Sequence, residues 1–290
     1  MKPAAFRYHR PGTLDEALAL LAEHGDAAKA VAGGQSLVPM MNLRLAQPAE
    51  LVDLGELRGA DAIAERAGFV EIGALASHQA LAEAELVRER CPLLAEAAAT
   101  IGHHAIRQRG TLGGSLAHAD PAAQLPLVAL TLGAEIEIAS LRGRRTVAAS
   151  EFFVSVMTTV LEPDELIVAV RFPVAAAREG HAFRLFNRRT GDYAIASVAA
   201  CLQLRGDAVE RLRVGVGAVE AVPQLLSDLA EAQRGRTVDA AWVEQVATGA
   251  RDAIQPEEDE RIPAIYRREL VQTLVARALS AAAQRAGAKS

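Results

Sequence analysis

The run Lys29-Ala30-Val31-Ala32-Gly33-Gly34-Gln35-Ser36-Leu37-Val38-Pro39-Met40 decides how this chain is read. A short apolar segment, Ala28 to Ala32, has the composition of a strand and feeds directly into Gly33-Gly34-Gln35-Ser36. Adjacent glycines permit positive φ and let the backbone come close to a ligand. Successive unbonded N–H groups in such a turn form a concavity for anionic oxygens, with the Ser36 hydroxyl as a further donor. A Gly-Gly pair is also an ordinary tight turn, so this motif by itself leaves both readings open. Upstream, Thr13-Leu14-Asp15-Glu16 has the pattern of a capping box. Leu14, Ala17, Leu18 and Leu21 then keep helical spacing, and Gly25 supplies a stop. Downstream, Leu51 to Leu54 is a further strand candidate, so the first 60 or so residues predict helix, strand, glycine turn, strand.

A second run, Gly110-Thr111-Leu112-Gly113-Gly114-Ser115, repeats the chemistry of two glycines followed by a hydroxyl, about 80 residues later. Two amide cradles would suit the two anionic groups of a pyrophosphate. The common dinucleotide fingerprint, Gly-x-Gly-x-x-Gly between strand and helix, fits neither run. Gly215-Val216-Gly217 begins that pattern, but Glu220 stands at the third glycine, so it reads as a strand with small residues. The Gly-Lys-Ser/Thr of nucleotide triphosphatases is absent. Nicotinamide and ATP folds are therefore disfavoured. His118 and Asp120, after the second run, read as an acid–base pair or as ordering elements of a loop, since Asp before Pro is a common turn device.

Beyond residue 60, Phe69 to Leu75 predicts a strand, Ser77 and Pro92 predict helix starts, and Ala122 to Leu132 predicts a helix. Alternation in Ala134 to Ile138 and Glu165 to Phe172 predicts strands, with Leu141 to Arg144 as a hairpin turn. Ile101 to Gln124 gives only weak signals. Pro173 to Gly180 is the best linker candidate. Ala182 to Phe186, Tyr193 to Leu204 and Leu212 to Val219 then read as strands and Pro223 to Ala286 as helical, an α+β arrangement. The expected division is 1–60, 61–175 and 176–290.

Composition excludes several functions. The 290 residues carry 31 Lys+Arg against 36 Asp+Glu, a formal net charge of −5, with no block of like charges. That balance argues against a nucleic-acid or anionic-membrane surface. Cys91 and Cys201 are the only cysteines and form no CxxC pair, which rules out four-thiolate iron–sulfur and zinc sites within the chain. No His-Glu-x-x-His spacing occurs, and the neighbouring His103 and His104 do not point at one ion, so no metal site is expected. No apolar run reaches the ~18 residues of a membrane span, and the first residues lack a signal-peptide core. The expectation is a cytoplasmic protein.

Lys29 to Met40, the run from Thr100-Ile101-Gly102 through Thr111-Leu112-Gly113-Gly114-Ser115-Leu116-Ala117-His118-Ala119-Asp120-Pro121, and Gly191-Asp192-Tyr193-Ala194 together resemble the FAD-binding medium subunit of molybdenum hydroxylases. Aerobic carbon-monoxide dehydrogenase and the FAD-binding subunit of xanthine dehydrogenase are examples of that family. The likeness covers nearly the whole chain. It implies an α+β fold: a vanillyl-alcohol-oxidase-type pair of subdomains clasping FAD, then a small α+β flavoprotein domain. It implies that Lys29, Ala32, Gly33, Gly34, Gln35, Ser36 and Leu37, with Thr111, Gly113, Gly114, Ser115 and Ala117, surround the pyrophosphate and nearby ribose or ribityl groups. Ile101 would lie beside the adenine or dinucleotide backbone, Gln124 by the ribityl chain, Leu161 near the isoalloxazine and Tyr193 on or near a flavin face.

In such complexes electrons pass from a molybdenum cofactor in a large subunit, through two [2Fe–2S] clusters in a small subunit, to noncovalent FAD and then an outside acceptor. The resemblance thus implies those two partner subunits and a dimer of heterotrimers. No catalytic side chain is expected, since the flavin ring carries the chemistry. The substrate and the terminal acceptor (quinone, NAD or oxygen) stay open. Two departures stand out. Gln124 occupies a place where relatives often have Asp, and Leu185 one where they often have Lys, with Arg184 as a candidate replacement. Other readings are a freestanding FAD oxidoreductase with its own small substrate, or an assembly subunit with empty turns. Tyr193 also reads as an ordinary edge or core aromatic, and Arg188-Arg189 as a partner patch or a solvated face.

Overall fold

The structure, a computed structural model, describes residues 2–287. After β1 (Arg7–His9), the Thr13 hydroxyl accepts from the Glu16 N–H while the Glu16 carboxylate accepts from the Thr13 N–H. This reciprocal cap starts α1 (Leu14–His24), which buries Ala17, Leu18 and Leu21 and stops at Gly25 (φ +49). Next come β2 (Ala28–Val31), α2 (Leu37–Asn42) and β3 (Glu50–Asp53). The three strands form a parallel sheet in the order β1-β3-β2. β1 and α2 were not expected from the sequence: each is short, and β1 has no fully buried residue to set a period.

The second block runs β4 (Ile63–Arg66), β5 (Phe69–Gly73), α3 (His78–Glu83), α4 (Glu85–Arg90), α5 (Pro92–Ala99), α6 (His104–Arg109), α7 (Leu112–His118) and α8 (Gln124–Leu132). It continues with β6 (Glu135–Ser140), β7 (Gly143–Ala148), α9 (Ala149–Phe152), β8 (Phe153–Ser155), β9 (Thr158–Thr159) and β10 (Leu166–Pro173). Ser77 caps α3 by accepting from the Ala80 N–H, and Pro92 occupies the first turn of α5, where its missing N–H costs nothing. An antiparallel sheet, β4-β5-β10-β6-β7, carries the helices on one face, and Val70, Ile72, Ile136, Ile138, Val170 and Phe172 from it enter the same core as Leu93, Leu94, Leu112 and Leu127.

One expectation fails here. Thr111 to Ser115 is not a free glycine turn but the beginning of α7, with Thr111 as its N-cap. The glycines serve packing: a Cβ on buried Gly113 would lie 2.6 Å from the Ala74 Cβ, so only glycine lets α7 come so close to the end of β5.

The third block consists of β11 (Glu179–Phe186), β12 (Ala196–Arg205), β13 (Ala208–Gly217), β14 (Gln224–Leu225), α10 (Ser227–Glu231), α11 (Ala240–Ala253) and α12 (Ala264–Ala286). Its antiparallel sheet, β11-β12-β13-β14, is covered on both faces. Alternating residues of β12 show this through the two-residue strand period. Val198, Ala200 and Leu202 join the core under α11 and α12, whereas Ala199 and Cys201 join the core of the second block. Gly215 and Gly217 are small because α8 crosses there; a Cβ at Gly215 would meet the Thr131 Oγ1 at 2.0 Å. Tyr193 lies outside β12, in the loop that precedes it, and is 63% exposed, so the core-aromatic reading is overturned.

Candidate functional site

At the C-terminal end of β2 the backbone leaves the sheet through Ala32-Gly33-Gly34-Gln35-Ser36 and then enters α2. Gly34 has φ +71, a conformation that glycine adopts without strain. Gly33 is demanded by a contact. A Cβ built there would lie 1.8 Å from the Arg109 carbonyl oxygen and 2.9 Å from the Gly110 Cα. A Cβ at Gly114 would lie 3.9 Å from the Ala32 Cβ. The two glycine runs, remote in sequence, therefore abut and form one surface.

Their backbones differ in what they leave free. Among the described residues, no acceptor meets the N–H groups of Gly33, Gly34, Gln35 or Ser36. The Gln35 side chain turns back to donate to the Gly33 carbonyl at 2.9 Å, which braces the turn without using those amides. In α7, by contrast, the first N–H groups are all engaged. Leu112 donates to the Ala76 carbonyl at 2.9 Å, Gly113 to that of Ala74 at 2.8 Å, and Gly114 to the Thr111 hydroxyl at 3.2 Å. Helix N-termini usually offer such donors to anions; here the segment that follows β5 and the cap take them. The expectation of two amide cradles thus reduces to one, at Gly33 to Ser36, with α7 as its wall.

The wall is held from behind. The His78 N–H donates to the Gly110 carbonyl at 2.9 Å, and its ring Nε2 lies 3.0 Å from the Thr111 carbonyl, which makes Nε2 the protonated nitrogen. Burial pushes the His78 pKa down to about 4, so the ring is neutral. Arg107 clamps the preceding loop by donating to the carbonyls of Ile101 at 3.1 Å and Gly102 at 3.4 Å. From the third block, Gly191 (φ +91) lies so close to His103 that a Cβ would sit 2.6 Å from its Cε1. The adjacent Tyr193 phenol, exposed over most of its surface, is raised above its ordinary range by partial loss of solvent first and by the Asp120 carboxylate second, with Ser36 acting the other way. Asp120 itself accepts from the Ala122 N–H at 2.8 Å, so it orders its loop, the structural one of its two readings.

Residues 4–175 match the family model described as the FAD binding domain in molybdopterin dehydrogenase, and residues 181–282 match that of the CO dehydrogenase flavoprotein C-terminal domain. This chain belongs to the FAD-binding medium-subunit family of molybdenum hydroxylases. It is 37% identical over 286 residues to the carbon monoxide dehydrogenase medium chain of Hydrogenophaga pseudoflava, covering 97% of this chain and 98% of that one. It is 36% identical to the nicotine 6-hydroxylase medium subunit of Paenarthrobacter nicotinovorans, with 98% and 100% covered. Among solved structures, quinoline 2-oxidoreductase from Pseudomonas putida 86 superposes with a TM-score of 0.94 at 36% identity, covering 99% of each chain. Carbon monoxide dehydrogenase from Hydrogenophaga pseudoflava gives 0.95 at 37% identity, covering 98% of this chain and 99% of that one.

The family's cofactor is FAD, and the turn fits it. A diphosphate needs a row of uncommitted donors with room for close approach, which Gly33 to Ser36 supply. Other expected site residues are placed unevenly. Ser115 is half-buried and Ala117 exposed on α7, whereas Lys29 is exposed on β2, and Leu37 begins α2. Ile101 and Leu161 both pack, partly buried, on the second block's core. Gln124 is buried as the first residue of α8. Arg184 does not replace a lysine near the flavin: it donates to Glu96 at 2.9 Å and is spent joining the second and third blocks. Arg109 and His78, which hold the two runs together, were missed by sequence reading. Gly110 immediately before Thr111 was the available signal, because glycine there admits the His78 ring, which a Cβ would meet at 2.7 Å.

Proposed function

We propose that this chain is the electron-transfer subunit of a molybdenum hydroxylase complex, binding FAD noncovalently. When bound, FAD supplies the redox centre that takes electrons from the [2Fe–2S] clusters of a small subunit and hands them to an outside acceptor. The observation that carries this reading is the set of uncommitted N–H groups from Gly33 to Ser36, laid against the start of α7. These amides, with the Ser36 hydroxyl, would hold the pyrophosphate oxygens. Thr111, Ser115 and Ala117 would line the opposite side, and Tyr193, placed by the Gly191 loop, would shield one side of the flavin ring. Leu161, Ile101 and Gln124 would complete the surroundings expected of them.

Two titratable side chains beside the turn are already engaged. His78 is buried, neutral and bonded to Thr111, and the Asp120 carboxylate is engaged by the Ala122 N–H. The two cysteines are buried and far from a ligand-set pattern, which supports a division of labour with a large molybdenum-cofactor subunit and a small iron–sulfur subunit. In this reading the assembly is a cytoplasmic dimer of heterotrimers, and the chain divides at about residues 60 and 175. Among the described residues, no helix is long and apolar enough to cross a membrane.

The test is flavin release followed by reconstitution. Heat or acid is expected to free one FAD per chain, and in the reassembled complex the flavin is expected to bleach on adding the large subunit's substrate only when the iron–sulfur subunit is present. A chain that retains no flavin after FAD is added refutes cofactor binding. Bleaching by a small organic substrate with this chain alone refutes the relay role.

A further inference from the structure

A cluster unrelated to the glycine turn lies on the N-terminal sheet. β1 and β3 run parallel with Arg7 opposite Glu50 and His9 opposite Val52, so the two-residue period puts Arg7, His9 and Glu50 on one face. α1 ends on that face at His24. We propose that His9, His24 and Glu50 form a divalent-cation site of the zinc class.

Three observations carry it. One ligand atom from each residue lies within 4.8 Å of the other two. The Glu50 side chain is only 4% exposed, with Oε1 held by the Arg7 guanidinium and Oε2 turned to His9 Nε2 at 2.7 Å. The two imidazoles face each other with ring centroids 5.6 Å apart, yet His24 makes no hydrogen bond to His9 or Glu50 among the described residues. A simple His–Glu hydrogen bond accounts for His9 and leaves His24 without a partner in the cluster. A cation accounts for both rings.

The donor set selects the ion. Two imidazole nitrogens and one carboxylate oxygen match a three-ligand zinc site with water in fourth place. Calcium and magnesium ask for six or more oxygens, which the cluster does not offer. Tetrahedral ligands at ordinary zinc distances stand roughly 3.3 Å apart, so His9 and Glu50 need to open by about half an ångström. Arg7 then acts on the unbound carboxylate oxygen and fixes the orientation of the ligand. Bound zinc ties β1 and the end of α1 to β3. Glu50 pairs with Ala28, the first residue of β2, whereas the glycine turn follows Val31. At about 3.3 Å per residue the strand alone carries the chain roughly 10 Å from the level of Glu50 before the turn begins, so occupancy can be read independently of flavin.

The test uses the untagged full-length chain, stripped with a chelator and titrated with Zn2+ against a chromophoric chelator. One ion per chain is expected for the wild type and for the control His104→Ala. His9→Ala and His24→Ala are expected to bind at least about tenfold more weakly with unchanged FAD content. Co2+ substitution is expected to give the intense visible bands of four-coordination, lost in His24→Ala. Because Glu50 is buried and paired, the partly exposed His24 carries the test without threatening the fold. A wild-type chain that takes up no zinc at one equivalent, or a His24→Ala chain that binds it as the wild type does, overturns the site.

Discussion

Gly33→Ala probes the contact on which the proposed flavin site depends. The added methyl would lie 1.8 Å from the Arg109 carbonyl oxygen and 2.5 Å from its carbon. That is about 1.6 Å short of ordinary van der Waals contact, and the obstacle is backbone, with no rotamer through which to yield. The turn and the entry to α7 must therefore separate. Overpacking of this kind costs about 1–3 kcal/mol. If the strain is relieved by displacing the turn, the loss appears as FAD affinity weaker by about 5- to 150-fold, at 1.4 kcal/mol per factor of ten. Quenching of flavin fluorescence on titrating the apoprotein measures the affinity, and a thermal melt of the same sample measures the stability. Gly12→Ala is the control, since its methyl would meet only the flexible Glu16 carboxylate, at 3.8 Å. A Gly33→Ala protein that binds FAD within twofold of wild type and melts at the same temperature would show that the two runs do not touch.

Glu96 accepts from Arg184 and Arg285 and so links α5 to β11 and α12. Burial works to raise its pKa, but the Arg285 hydrogen bond and charge prevail and hold it below the ordinary glutamate value of 4.5. Its contribution is complete above that value and fades as pH falls below it; Glu96→Gln is expected to cost about 1–2 kcal/mol in urea unfolding at pH 7 and progressively less as pH falls below 4.5. His78 follows the opposite chemistry with the same sign. Its folded pKa of about 4 lies below the ordinary histidine value of 6.5, so stability is complete above 6.5 and is lost as pH falls towards 4. His78→Gln, which keeps a donor for the Thr111 carbonyl, is expected to flatten that part of the pH–stability curve by on the order of 2–3 kcal/mol; an unchanged slope refutes the neutral buried ring. Gly180→Ala would place a methyl 1.8 Å from the Ala282 carbonyl oxygen, so it is expected to lower the melting temperature while the remaining folded protein keeps its full FAD complement.

Local chemistry made much of this fold legible. Thr13 and Glu16, Ser77 and Pro92 declare helix starts through chemistry confined to one turn, and the structure places side-chain caps at Thr13 and Ser77 and the proline in the first turn of α5. The Leu141 to Arg144 hairpin was readable for the same reason, with Ser140 facing Gly143 across it. α7 was not, because Gly113 and Gly114 erase helical propensity and are justified only by Ala74 and Thr111, which pattern reading does not bring near. At the site, glycines marked where backbone comes close, but not which amides stay free. That distinction rests on the carbonyls of Ala74 and Ala76, which reach α7 only through the tertiary fold. The His9, His24 and Glu50 cluster was equally silent, since its three members come from two strands and a helix end with no regular spacing.

The doubly covered β12 constrains how this subunit can be cut or assembled. With Ala199 and Cys201 in one core and Val198, Ala200 and Leu202 in the other, the strand is a party wall between two oily interiors. Truncation after β10 would bare the apolar sides of α5 and α8, so the amino-terminal portion expressed alone should aggregate, despite the linker-like sequence after Pro173. Melting should accordingly register as one cooperative event rather than two, and insertion of a reporter module is better tolerated at an exposed hairpin than at that junction.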